Sequence, residues 1–227
     1  PADTPRHAAT GAKRSRMVRL SPKVALADGV SHGDTLVLNL FSDKVYTAHI
    51  DRVITNVNGT VTVRGRIDGY PLGYVLLSTT ANKSLGSIQI PEKGEQYIIQ
   101  SEPLTDALFL VDMDPNRMDK LEDAPSPIPP RTKAPPLAQE SLLPPQIGAD
   151  GPLDPANVKV LVVYTPAARS WADTSGGGIS NVIAQSMQNA QLALDNSNTV
   201  LSMNLVNSSE VSYTESGDSV TDLYRLT

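Results

Sequence analysis

The sequence predicts an α+β protein with an antiparallel, β-rich front module and a partial α/β segment at the back, joined by a proline-rich linker. Three observations carry this. Residues 20–118 hold short alternating runs at hairpin spacing. Ten of the eighteen prolines lie between 125 and 155. Beyond them, the most apolar run in the chain (158–164, VKVLVVY) is followed by a stretch with helical spacing. The expected units are a flexible basic tail over 1–19, a β-rich domain over 20–118, a linker over 119–157 and a second domain over 158–227.

In chain order, the opening is polar, with Arg6, Lys13, Arg14, Arg16 and Arg19 and no apolar period, so it reads as a tail. Eight strands are then expected, at 35–40, 44–50, 51–55, 60–67, 73–80, 84–90, 96–100 and 108–111. Asn58-Gly59 marks a hairpin, since both residue types tolerate the positive φ of a type I′ turn. Lys93-Gly94 marks another turn. From 119 to 157 proline removes ladder donors and breaks helices, leaving an extended tether. The valine-rich run reads as a strand buried on both faces, stopped by Pro166. Residues 170–178, with three glycines, read as a loop. Over 179–195, Ile179, Ile183, Met187, Ala190 and Leu194 share one face, while Gln185, Gln188 and Gln191 form a neutral-polar one, as for a helix laid on a sheet. Leu201, Met203 and Leu205 alternate as a half-buried strand, and 222–227 opens a further helix.

Composition narrows the chemistry. A net charge of −5 offers no electrostatic attraction for nucleic acid or an anionic membrane, and no apolar run approaches the roughly 20 residues of a membrane span. With no cysteine, disulfides, thiolate metal sites and a cysteine nucleophile are excluded. The histidines, at 7, 32 and 49, all precede the linker and none stands in H-E-x-x-H. Neither a nucleophile elbow nor a phosphate-loop lysine is found, and the 176–178 glycine run lacks dinucleotide spacing. Asp112, Asp114 and Asp119 follow a strand and read as a solvated turn, with a weak calcium site as the sharper alternative. No catalytic, metal or cofactor-binding residue is assigned. The chain begins with Pro1, and residues 222–227 break off within an expected helix, so both ends read as cuts.

Three stretches carry a resemblance: 158–169 (VKVLVVYTPAAR), the helix from 179 to 198, and 213–227 (YTESGDSVTDLYRLT). Together they resemble the front of metzincin-type zinc metallopeptidases, in particular the reprolysin-like bacterial group that includes peptidyl-Asp metalloendopeptidases. The resemblance implies that 158–227 is the start of the upper catalytic subdomain. The zinc helix H-E-x-x-H-x-x-G-x-x-H and its Met-turn would then lie beyond Thr227. It further implies that the β-rich module is an inhibitory and folding propeptide of a secreted bacterial zymogen acting on protein or peptide substrates. Zinc is expected in the full-length enzyme and none in this part of it. Latency through a cysteine is ruled out, and Asp150 or Asp154 could mark a self-maturation point. Two other readings stand beside this one: a binding or adhesion module without catalysis, and a non-protease α/β enzyme, for which ligand-binding loops are missing.

Overall fold

A computed structural model describes residues 11–25, 29–102, 107–117, 156–174 and 177–225. Strand β1 (Ala12–Val18) is followed by a one-turn helix α1 (Pro22–Ala25) and then by β2 (Thr35–Phe41), β3 (Lys44–Thr55), β4 (Val61–Ile67), β5 (Tyr74–Thr79), β6 (Ser84–Ile90), β7 (Glu95–Ser101) and β8 (Leu108–Met113). These eight strands form one antiparallel sheet in the order β1-β8-β7-β6-β5-β4-β3-β2. One core cluster takes residues from seven of them, among them Leu40, Ala48, Val75, Ile88, Tyr97 and Leu110. A single cluster fed from so many strands means the sheet curls around a common interior. Its two edges face one another, for the Arg16 guanidinium on β1 donates to the carbonyl of Asn39 on β2.

β1 corrects the expected tail. Residues 12–18 pair with β8, with Arg14 opposite Asp112 and Met17 opposite Phe109. The signal was hidden because arginines occupy positions where aliphatic residues would mark a strand. Arg14 lies 4.0 Å from the Phe41 ring centroid and is neutralised by Asp43 at 2.8 Å and Asp112 at 3.0 Å. Its stem packs while its charge is satisfied. The part of the tail expectation on residues 1–10 lies outside the described residues.

The expected strands 44–50 and 51–55 are one. A bulge makes them read as two: Ile50 pairs with Gly65 and Arg52 with Arg64, leaving Asp51 as the extra residue. Gly65 sits where a Cβ would come 2.9 Å from the His49 carbonyl oxygen, so the bulged strand can approach only a glycine there. The Asn58-Gly59 hairpin forms, though not as type I′. Gly59 alone of the two has positive φ, at 79°, and the turn is closed by Gly59 N–H to Asn56 O at 3.0 Å. The Lys93-Gly94 turn is a short 3-10 turn ending in left-handed Gly94, φ 62°.

The linker expected over 119–157 lies outside the described residues, except Ala156 and Asn157. These two open β9 (Ala156–Tyr164). Residues 170–174 of the expected loop belong instead to helix α2 (Pro166–Thr174). Pro166 ends the strand as expected and also starts this helix, because the first helical position needs no N–H. The Thr165 hydroxyl caps it, accepting the Ala168 N–H at 3.0 Å. Helix α3 (Ile179–Asn196) agrees with the expectation to within a residue. Strand β10 (Leu201–Glu210) then pairs in parallel with β9, and α4 (Ser219–Arg225) closes the described chain.

Ile183, Met187 and Leu205 make a small core under α3, with Val160, Val162 and Tyr164 against it. The other side of β9 is bare: Leu161 is 60% and Val163 47% exposed. The expectation of burial on both faces is therefore corrected to one, since α3 covers one side and no described element covers the other. No helix among the described residues is long and apolar enough to cross a membrane.

Candidate functional site

The outer face of β4, β5 and β6 has a polar composition suited to water, yet it is buried. Thr62, Arg64 and Ser78 are each at most 5% exposed. Helix α3 lies over them. Two stripes run along this helix. Ile179, Ile183 and Met187 face β9 and β10, whereas Asn181, Gln185 and Asp195, spaced by helical turns, reach the curled sheet.

The seam is held by contacts between the two halves of the chain, backed by bonds within each half. Arg64 Nε donates to Asp51 Oδ1 at 2.9 Å, and its Nη1 to Asp195 Oδ2 at 2.6 Å. The bulge at Asp51 turns that carboxylate onto the face where Arg64 stands. Arg66 Nη2 donates to Asn196 Oδ1 at 2.9 Å. At the other end, Asn181 Nδ2 donates to the carbonyls of Lys83 at 3.1 Å and Gly177 at 2.9 Å, and Asn58 Nδ2 to Ser180 O at 3.3 Å. Lys83 Nζ lies 3.6 Å from Asp173. Gly177 permits the approach, since a Cβ there would stand 3.2 Å from the Leu85 side chain.

Burial alone would lower the Arg64 guanidinium, but the hydrogen bonds to Asp51 and Asp195 outweigh it and hold the group above its ordinary range. Burial alone would raise the Asp195 carboxyl. Hydrogen bonds from Gln191 and Arg64 reverse that and leave it below its ordinary value. The rest of the seam is less well satisfied. Ser87 Oγ, Asn181 Oδ1 and Gln188 Oε1 are buried without a hydrogen-bond partner among the described residues. Clefts of about 360 Å³ and 350 Å³ flank the helix, one beside Leu85 and Gln185, the other beside Arg52 and Gln188. The contact is thus specific but loosely filled.

The residues singled out from sequence do not converge. His32 is exposed near the start of β2. His49 stands on the surface of β3, its Nε2 3.0 Å from Asp68 and its Nδ1 3.1 Å from the Thr35 hydroxyl. Asp112 is buried against Arg14 rather than solvated, because β1 covers it. Asp114 is in a turn, accepting the Asn116 N–H at 3.0 Å. His7, Asp119, Asp150 and Asp154 lie outside the described residues. Gly177 and Gly178 lead the chain into α3 against Leu85 and Lys83, with Gly178 at φ 71°. Among the described residues no group of three or more His, Cys, Asp or Glu could hold a metal ion. Arg64 and Asp195 escaped sequence reasoning. The available signal was the neutral-polar stripe of α3, whose counterpart is the polar outer face of β4.

No family model matches this chain, and neither does any curated protein.

Proposed function

We propose that the chain is the front part of a secreted bacterial zinc metalloendopeptidase precursor. In this reading the curled sheet is the inhibitory and folding prosegment, and the residues from β9 onward open the catalytic unit. The observation that carries it is the seating of α3. A helix that belongs to the second segment places its polar stripe on the first, through Arg64–Asp195 and Asn181.

Two further features support this. β9 and β10 are parallel and joined through α2 and α3, the strand–helix–strand arrangement with which an α/β layer begins. The pair also has too little apolar burial of its own to order two helices and two strands, so a neighbouring surface that holds α3 acts as a template. The composition of the seam fits a contact meant to separate. Buried polar atoms without partners each cost about 1–3 kcal/mol, which keeps the association well short of that of a continuous apolar core.

The test is the protein expressed with its downstream sequence. That sequence is expected to contain paired histidines on a helix as H-E-x-x-H, and the long form to cleave casein in a zinc-dependent manner. The 227-residue chain is expected to do neither. Downstream sequence without paired histidines overturns the reading. The second reading, a binding module without catalysis, is favoured by one observation, a cavity inside the curled sheet.

A further inference from the structure

The interior of the curled sheet is not uniformly filled. Its buried residues fall into two clusters. One is built around Leu40, Tyr97 and Leu110, the other around Val24, Ile50, Val63 and Leu77. Between them is a cavity of about 590 Å³, lined by Leu36, Leu38, Leu77, Ile88, Ile99 and Leu110. Protein interiors are close-packed, with few voids larger than a water molecule, and a cavity in the 300–1,000 Å³ range is the size of a small-molecule site. Its inner walls are largely aliphatic and suit hydrocarbon, while its lining also includes Arg16, Ser21, Thr35 and Asn39. Eight-stranded curled sheets have an interior wide enough for one such ligand.

The cavity reaches the slit between the two sheet edges, where residues 16–19 of β1 and its exit face residues 35–39 of β2. Arg16 stands at this slit. One of its terminal nitrogens donates to the Asn39 carbonyl, but its Nε is buried with no hydrogen-bond partner among the described residues. Arg14, its neighbour on the same side of the strand, has two carboxylates, Asp43 and Asp112. Arg16 has no carboxylate partner among the described residues. Arg19, exposed, adds a second positive charge to the rim. The opposite end of the interior is closed by a satisfied polar cluster: Glu95 accepts from Tyr46 and Tyr97, both at 2.7 Å, and from Lys44. The pocket therefore has a largely apolar body, an opening between the sheet edges and an under-satisfied cation at that opening.

We propose that the curled sheet binds a medium- or long-chain carboxylate, with the hydrocarbon between the two core clusters and the carboxylate at Arg16. A carboxylate there supplies the counter-charge that the Arg16 guanidinium lacks among the described residues, and the chain length supplies the apolar contact that the walls lack. The assignment is independent of the peptidase reading, because it uses only β1–β8.

The experiment is calorimetric titration of the 227-residue protein with dodecanoate, dodecanol and dodecyltrimethylammonium, each below its micellar concentration. Dodecanoate is expected to bind one-to-one with micromolar affinity and the other two at least tenfold more weakly. Arg16→Gln is expected to weaken dodecanoate about tenfold to a hundredfold, the usual worth of a charged hydrogen bond, and to leave dodecanol unchanged. Leu38→Trp, which fills the cavity, is expected to abolish binding of all three. Should Arg16→Gln fail to fold, the ranking of the three head groups on the unaltered protein decides. Absence of saturable dodecanoate binding overturns the proposal. So does equal affinity for the alcohol or the cation, and so does uptake of an extended apolar peptide in place of dodecanoate, which would point to strand addition at the β1 and β2 edges.

Discussion

Arg64 Nη1 on β4 stands 2.6 Å from Asp195 Oδ2 near the end of α3, joining points 131 residues apart in the chain. The guanidinium side chain is only 6% exposed and lies between two carboxylates, Asp51 and Asp195, that are 27% and 26% exposed. It is the one buried cation on the outer face of the curled sheet among the described residues, and it grips the second segment. Its replacement is therefore the most direct probe of the seam.

Arg64→Ala is expected to destabilise the protein by about 2–3 kcal/mol. A fully buried pair that loses one partner costs about 3–5 kcal/mol, and the partial exposure of both carboxylates reduces this. Arg64→Lys is expected to recover less than half, since one ammonium cannot serve Asp51 and Asp195 with the geometry of a planar fork. Urea unfolding followed by Trp171, the single tryptophan, measures both. Equal stability of Arg64→Ala and the parent would show that the seam is not held here.

Acidification tests the same pair from the other side. The folded-state pKa of Asp195 is lowered from its ordinary 3.8, so its contribution is fully present above the unfolded value of about 4 and is lost as pH falls through the lower folded value. The groups facing it are Arg64, Arg66 and Arg52 from the sheet, with Asp51 beside them and Gln191 on its own helix. Unfolding midpoints measured from pH 6 to pH 2.5 are expected to fall, and Asp195→Asn to fall less steeply over the acid part. Parallel curves for the two proteins would remove Asp195 from the account.

The closed end of the sheet interior makes a separate prediction. The Glu95 carboxylate would be raised by burial, yet hydrogen bonds from Lys44, Tyr46 and Tyr97 hold it below its ordinary range. Glu95→Ala leaves two tyrosine hydroxyls and an ammonium without their acceptor, at about 2–4 kcal/mol. Tyr97→Phe removes one bond and is expected to cost about 1 kcal/mol. Thermal melts that order the two variants the other way would contradict the network.

β9 has one covered and one bare side, so neighbouring residues should respond in opposite ways. Leu161→Lys is expected to change stability by no more than about 0.5 kcal/mol. Val162→Lys, which drives an ammonium into the cluster of Ile183, Met187 and Leu205, is expected to cost about 2–3 kcal/mol. In a longer form of the protein that continues the parallel sheet, Leu161→Lys should become the damaging one. If it stays neutral there, the bare side of β9 is surface in the whole protein too.

The sequence by itself determined the strands of the curled sheet after β1, though with β3 read as two, the α3 helix and its apolar stripe, and the absence of cysteine chemistry. Each of these is written in local order: alternation places Val61 and Val63 on one side of β4, and the spacing of Ile179, Ile183 and Met187 makes one face of a helix. Only the tertiary structure decided that Ala12–Val18 is a strand, that Arg64 is buried and that the glutamine stripe is covered. A polar side chain reads the same whether water or another segment satisfies it. Arg14 is matched by Asp43 and Asp112, and Arg64 by Asp195, partners separated in sequence and supplied only when the chain folds. Hydrogen-bonding capacity is a property of a residue; its satisfaction is a property of the place where the fold puts it.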